Sequence, residues 1–154
     1  MSDRQPSYRH HSPTTSPGWA LWRASLAWQR QLRAILEPLG LTHGQFVVLA
    51  VTWWLTEHRG GPPTQRQVAD HAGTDAMTTS QIVRRLHHAG HLHRQHDPED
   101  GRARRLSLSP QGRDLLAAAL PAVESVDAAF FAPLGEHEEH WRDLLVALFA
   151  APEL

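Results

Sequence analysis

The chain has 154 residues, no cysteine and a formal net charge of −1, and 41% of its residues are hydrophobic. That length supports one folded unit with its own core, and the missing thiols exclude disulfides, cysteine-based zinc sites and thiol redox sensing. No apolar run reaches 18 residues, and Met1 to Gly18 carries Arg4, Arg9 and His10 without a hydrophobic stretch. Neither a membrane span nor a secretory signal is expected, and the cytoplasm is the simplest compartment.

The near-neutral total hides an uneven distribution. Between Thr64 and Arg113 stand eight arginines (Arg66, Arg84, Arg85, Arg94, Arg102, Arg104, Arg105 and Arg113) against five acids, Asp70, Asp75, Asp97, Glu99 and Asp100. That stretch is about +3 and also holds six of the twelve histidines. All fifteen basic residues are arginine, a bias that a GC-rich genome also produces, but guanidinium is the better fork for phosphate and guanine edges.

In chain order, residues 1–18 are rich in Ser, Pro, Thr and His and read as a flexible tail. Leu21, Trp28, Leu32, Ile35 and Leu39 recur at helical spacing, predicting a helix from about Trp19 to Leu39 that Pro38 and Gly40 close. Thr42 with Gln45 has the form of a capping box. It opens a helix to about His58 that is apolar nearly all round, and so is expected at the centre of the core. After the loop Arg59 to Pro63, Thr64 with Gln67 forms a second capping box, opening a short helix to about Ala72 with Val68, Ala69 and Ala72 inward. Gly73 makes a turn, and Thr74 or Asp75 caps a helix to about Ala89, whose inward stripe is read as Met77 or Thr78, then Ile82, Val83 and Leu86. Gly90 ends it. Two short helices around a glycine turn form a helix-turn-helix pattern.

The period then changes. His91 to His96 reads as a weakly patterned strand, Asp97 to Gly101 as a turn, and Arg102 to Ser109 alternates with Arg104, Leu106 and Leu108 on one side, predicting a β-hairpin. Ser109-Pro110 starts a long helix with Leu116, Leu120, Val123 and Phe130 as its stripe and Pro121 expected to kink or interrupt it. Gly135 precedes a last helix from Glu136 to about Ala150, with Trp141, Leu144, Leu145 and Leu148 on its apolar side. The fold expected is mainly α with a small β-hairpin, a winged helix-turn-helix of about six helices.

The second helix of such a motif lies in the major groove with its early residues on base edges. Here those are Asp75, Met77, Thr78, Thr79, Ser80 and Gln81, with Arg84 and Arg85 following. An arginine at a hairpin tip can enter a narrow minor groove. Arg102 occupies that tip, and Asp100 is read as orienting its guanidinium. Thr64 and Gln65 of the first helix, with Arg104 and Arg105 of the hairpin, complete the expected contacts to double-stranded DNA.

Several of these segments resemble the MarR family of bacterial regulators. Thr64-Gln65-Arg66-Gln67-Val68-Ala69 is similar to the first helix of that family's motif, and Asp75 to Leu86 with Gly90-His91-Leu92 to its recognition helix and exit. Asp97-Pro98-Glu99-Asp100-Gly101-Arg102-Ala103-Arg104, followed by Leu106-Ser107-Leu108-Ser109-Pro110-Gln111-Gly112, strongly resembles its wing and next helix. Leu41-Thr42, Gln45-Phe46 and Val48-Leu49 also fit, so the resemblance covers roughly residues 19 to 150. It implies a homodimer built from the first and last two helices, with Arg102 in the minor groove. His91 departs from the pattern, where the family has an apolar residue, and the absence of cysteine excludes the peroxide-sensing branch.

A dimer is expected on geometry too, because two motifs about a two-fold axis read half-sites about 34–36 Å apart. The apolar stripes at both chain ends also need a partner surface. The organisation read from the sequence is therefore a tail at 1–18, dimerisation helices at 19–41 and 114–154, and a winged helix-turn-helix at 42–113. The expected function is repression from a pseudo-palindromic operator, released by a small, aromatic-acid-like effector. Trp19, Arg23, His43 and Trp53 are candidates for that ligand's pocket by analogy with the family.

Two alternatives stand beside this reading. His87, His88, His91, His93 and His96 cluster in sequence, and His137, Glu138 and His140 form the more testable zinc-responsive set, although no metal or cofactor is expected. A winged module used only for protein contact would not need Arg102, Arg104 and Arg105 together. No nucleophile elbow, phosphate loop or zinc-protease helix occurs, so an enzyme is not expected.

Overall fold

A computed structural model describes residues 12–150. Residues 1–11, most of the expected tail, and 151–154 lie outside the described residues. Among the described residues six α-helices and one hairpin follow in the order α1 Pro17–Leu36, α2 His43–Arg59, α3 Gln65–Ala72, α4 Ala76–His88, β1 Leu92–His96, β2 Arg104–Leu108, α5 Pro110–Phe131 and α6 Glu138–Ala150. Short 3-10 turns at Glu37–Leu39 and Ala132–His137 close α1 and join α5 to α6. Helix α1 starts at Pro17, inside the segment expected to be flexible, because Ser16 stands in extended backbone and Pro17 suits a first helical turn.

Local chemistry fixes most boundaries. Thr42 and Thr64 each accept from the backbone N–H three residues on, while Gln45 and Gln67 reach back to the cap N–H. Both capping boxes thus satisfy donors that a helix start leaves orphaned. Ser109 caps α5 in the same way, accepting from the Gly112 N–H. Gly112 is also required sterically: a Cβ there would lie 2.0 Å from the carbonyl oxygen of His91.

Helix α2 runs through the core, burying Phe46, Val48, Leu49 and Leu55 against Leu32 and Leu36 of α1, Val83 and Leu86 of α4, Leu116 and Val123 of α5, and Leu92, Leu106 and Leu108 of the hairpin. Its one fully buried polar side chain, Thr52, donates to the Val48 carbonyl at 2.7 Å and so carries no unpaired hydroxyl into the core. Pro121 does not interrupt α5, which is continuous through it. Pro121 and Ala117 are both exposed, so the carbonyl deprived of its N–H partner is left to water. The break falls instead at Gly135, whose φ of 54° is in the left-handed region, and α6 begins at Glu138, two residues later than expected.

The hairpin pairs Leu92 with Leu108, Arg94 with Leu106 and His96 with Arg104. It is docked on the loop before α3: Thr64 bridges Arg105, and the Leu106 N–H donates to the Pro63 carbonyl at 2.9 Å. The wing is therefore anchored to the helix-turn-helix at its base. At the other end of the molecule Leu21, Trp22, Leu144, Val146, Leu148 and Phe149 are exposed, the last two at 69% and 78%. The segment Pro110–Ala150 is long and apolar enough to cross a membrane by length and composition alone. It is broken at Gly135, however, and α5 carries Glu124 and Asp127 within it.

Candidate nucleic-acid interface

Gly73, with φ 65°, turns the chain from α3 into the extended residues that precede α4. Asp75 caps α4, accepting from the Thr78 N–H at 2.8 Å and from the Thr78 hydroxyl at 2.6 Å. Those bonds, the hydroxyl's first, hold the Asp75 carboxyl below the usual carboxylate range. Both groups are thus engaged with each other on the exposed first turn.

The inward position of that turn is Thr79, neither Met77 nor Thr78. Thr79 is fully buried; its hydroxyl donates to the Asp75 carbonyl at 2.9 Å and lies 2.8 Å from that of Thr74, from which it accepts. Thr79 is corrected from base contact to core, because a threonine whose hydroxyl is satisfied locally packs as a small apolar residue. Met77, by contrast, is 72% exposed. At 100° per residue Met77, Gln81, Arg84 and His88 form the outermost stripe of α4, opposite Thr79, Val83 and Leu86. Thr78 and Arg85 flank this stripe, and Ser80 is half-buried beside it.

In the wing, Asp100 accepts from the backbone N–H of Arg102 at 2.9 Å. It shapes the turn and does not hold the guanidinium as expected, because an aspartate two residues before an N–H closes a local ring. Arg102 is left exposed at the tip. Arg104 is committed to the wing, donating from one nitrogen to His96 Nδ1 at 2.9 Å and to the carbonyls of Ala103 and Gly101 at 3.1 and 3.2 Å.

Arg105 is corrected more strongly. Its Nε lies 2.8 Å from the buried Asp97 carboxylate, and it donates to the Pro62 carbonyl at 3.0 Å, so it ties the wing's base and is not a free contact. The Glu99 N–H first, and then Arg105, hold the Asp97 carboxyl below the usual range. Sequence reasoning missed this latch because Asp97 and Pro62 come from different loops.

Thr64 spends its oxygen on the α3 cap, while Gln65 and Arg66 line a cleft of 510 Å³ between α3 and the hairpin. That cleft also receives Arg94, a residue not singled out from the sequence. The available signal was strand alternation, which puts Arg94 on the side of Leu92.

The four candidate pocket residues do not share one cavity within a chain. Arg23 stacks over the Trp19 ring at 5.6 Å on the exposed face of α1. His43 meets Trp28 edge-on at 5.1 Å, and Trp28 donates to Asp127 at 2.7 Å, joining α1, α2 and α5. Burial lowers the His43 pKa, and Asp127 partly opposes that. Trp53 lines a separate 380 Å³ pocket with Trp54, His71 and Glu124. Among the described residues no three His, Asp or Glu side chains come close enough to share a metal ion, so His137, Glu138 and His140 are not brought together.

The model of the MarR family matches residues 39–103. The HTH-type transcriptional regulator YdcH of Bacillus subtilis is 42% identical over 120 residues, covering 78% of this chain and 81% of that protein. The chain belongs to the MarR family. A probable transcriptional regulator from Pseudomonas aeruginosa superposes with TM-score 0.76 at 32% identity, covering 89% of this chain and 99% of that one. BpsR of Bordetella bronchiseptica, whose DNA binding is regulated by 6-hydroxynicotinic acid, matches with TM-score 0.73 at 26% identity over 87% of this chain and 98% of that one. This MarR-family chain is accordingly a winged-helix, DNA-binding transcriptional regulator and not an enzyme, with α4 in the place of the recognition helix and β1–β2 in that of the wing.

Proposed function

We propose that this regulator binds a pseudo-palindromic operator as a homodimer in the cytoplasm and represses by occupancy until a small effector, of the aromatic-acid class, releases it. The observation that carries this is the pairing of two exposed reading devices on one anchored unit. The outer stripe of α4 offers Met77, Gln81 and Arg84, and Arg102 stands unpaired among the described residues at the wing tip. Gln81 suits an adenine edge, Arg84 a guanine or phosphate, and Met77 a thymine methyl. Arg102 suits the narrow minor groove alongside.

The exposed apolar side chains of α1 and α6 support the dimer, since large apolar side chains left open to water in such number mark an interaction face. The effector reading is supported by the aromatic acid that acts on BpsR and by the Trp19–Arg23 pair, an aromatic wall beside a cation. Such a ligand acts only by binding the released form better than the DNA-bound one.

The test is to incubate the purified protein with pooled genomic fragments at several salt concentrations and sequence what is retained. A palindrome with half-site centres about 10–10.5 bp apart and a steep salt slope is expected. Retention without any shared sequence contradicts the specific-reader function.

A further inference from the structure

Strand alternation places Arg94 on the inner face of the hairpin. It sits opposite Leu106 and two residues from Leu92, both fully buried. Its Nε is shielded from water and has no hydrogen-bond acceptor among the described residues. A shielded N–H on a permanent cation is unfavourable without an acceptor, and the Arg94 side chain lines the 510 Å³ cleft between α3 and the wing.

The rest of the lining has the same preference. Arg66, Arg102 and Arg104 join Arg94 there, against the single acid Asp100, whose Oδ1 is already engaged by the Arg102 N–H. Arg66 is held only loosely, 3.9 Å from Asp70 with both side chains exposed. Gln65 lines the cleft as well, and its Oε1 is shielded and unpartnered among the described residues. Four guanidinium groups, that of Arg104 already engaged within the wing, stand around one carboxylate and select an anion, and a planar, forked cation suits phosphate oxygens.

We propose that this cleft seats one DNA backbone phosphate per protomer, with Arg94 as its principal ligand. The assignment rests on the DNA-reading function proposed above. A sugar–phosphate strand separates each major groove from the adjoining minor groove. A protein that places α4 in one and Arg102 in the other must straddle that strand, and the cleft lies between α3 and the hairpin. Arg94 then contributes to affinity and register but not to sequence choice.

The test compares wild type with Arg94→Gln and Arg94→Lys on the selected operator, and wild type on operators carrying a neutral methylphosphonate at each backbone position in turn. Expected are a loss of about tenfold or more in Arg94→Gln on specific and unrelated DNA alike, partial recovery in Arg94→Lys, and a salt slope shallower by roughly 0.9 per site, roughly 2 for a dimer. One methylphosphonate position per half-site should weaken wild type and leave Arg94→Gln unaffected. The wild-type half of that arm stands even if Arg94→Gln folds poorly, and Arg94→Lys then takes the place of Arg94→Gln. Equal affinity and slope in wild type and Arg94→Gln overturn the seat alone. A seat that serves free anions is shown if inorganic phosphate raises the melting temperature of wild type but not Arg94→Gln while DNA binding is unchanged, and this overturns the backbone assignment. Wild type that retains no DNA at any salt overturns the DNA-reading function and the seat together.

Discussion

Arg102 and Thr79 both stand in segments whose sequence points to DNA contact, and their surroundings separate them. The Arg102 guanidinium has no partner among the described residues and stands at an exposed tip, so Arg102→Ala should weaken operator binding by roughly tenfold or more and relax the A·T preference beside each half-site. Thermal unfolding should be unchanged, as nothing in the fold leans on that side chain; equilibrium binding and melting measured together check this. Thr79 has no solvent exposure and its hydroxyl bridges Thr74 and Asp75. Thr79→Val should keep the packing but strand the Thr74 hydroxyl, costing about 1–3 kcal/mol of stability. It should leave base preference intact in whatever protein folds; an altered preferred sequence would return Thr79 to the reading surface.

At the scale of elements, what could be read in advance was what neighbours in sequence decide. The caps at Thr42, Thr64 and Ser109 and the glycine turn at Gly73 depend on groups within a few residues of one another, and each stands where its motif placed it. The wing's internal wiring was not legible in the same way. Arg105 reads as one more surface arginine until Pro62, 43 residues earlier, closes on it. Arg94 reads as half of a weak strand until the register sets it opposite Leu106. The inner side of α4 was misassigned because Thr79 is polar by type and apolar by environment, which periodicity cannot distinguish.

The Asp97 latch makes the wing sensitive to pH. Its carboxyl is held below the ordinary value, so the folded state favours the charged form. The resulting stability is present above the unfolded pKa of about 3.9 and is lost as pH falls through the lower folded value. Protection of the β1–β2 amides against hydrogen exchange, taken relative to the intrinsic rate at each pH, should therefore fall as wild type is acidified below about pH 4. Asp97→Asn should show a loosened wing already at neutral pH and less acid dependence. Identical exchange in the two proteins would remove the latch from the account.

The whole molecule divides into an anchored reading head and two chain ends rich in exposed apolar groups. Leu144 and Leu148 on α6 exemplify the second region, more than half exposed in one chain. Their joint replacement, Leu144→Glu with Leu148→Glu, should give a monomer by sedimentation while far-ultraviolet circular dichroism stays helical. Operator affinity should fall by orders of magnitude, since one reading head covers only half a palindrome. His43, Trp28 and Asp127 connect α1, α2 and α5 at the junction between the two regions, the place where a change in spacing between heads would have to pass.

If two such heads read DNA together, a hydroxyl-radical footprint on the operator recovered from genomic fragments records both at once. Two symmetric patches centred about 34–36 Å apart are expected, each flanked by minor-groove protection that disappears in Arg102→Ala. A single one-sided patch, or flanking protection that persists without Arg102, would contradict joint reading.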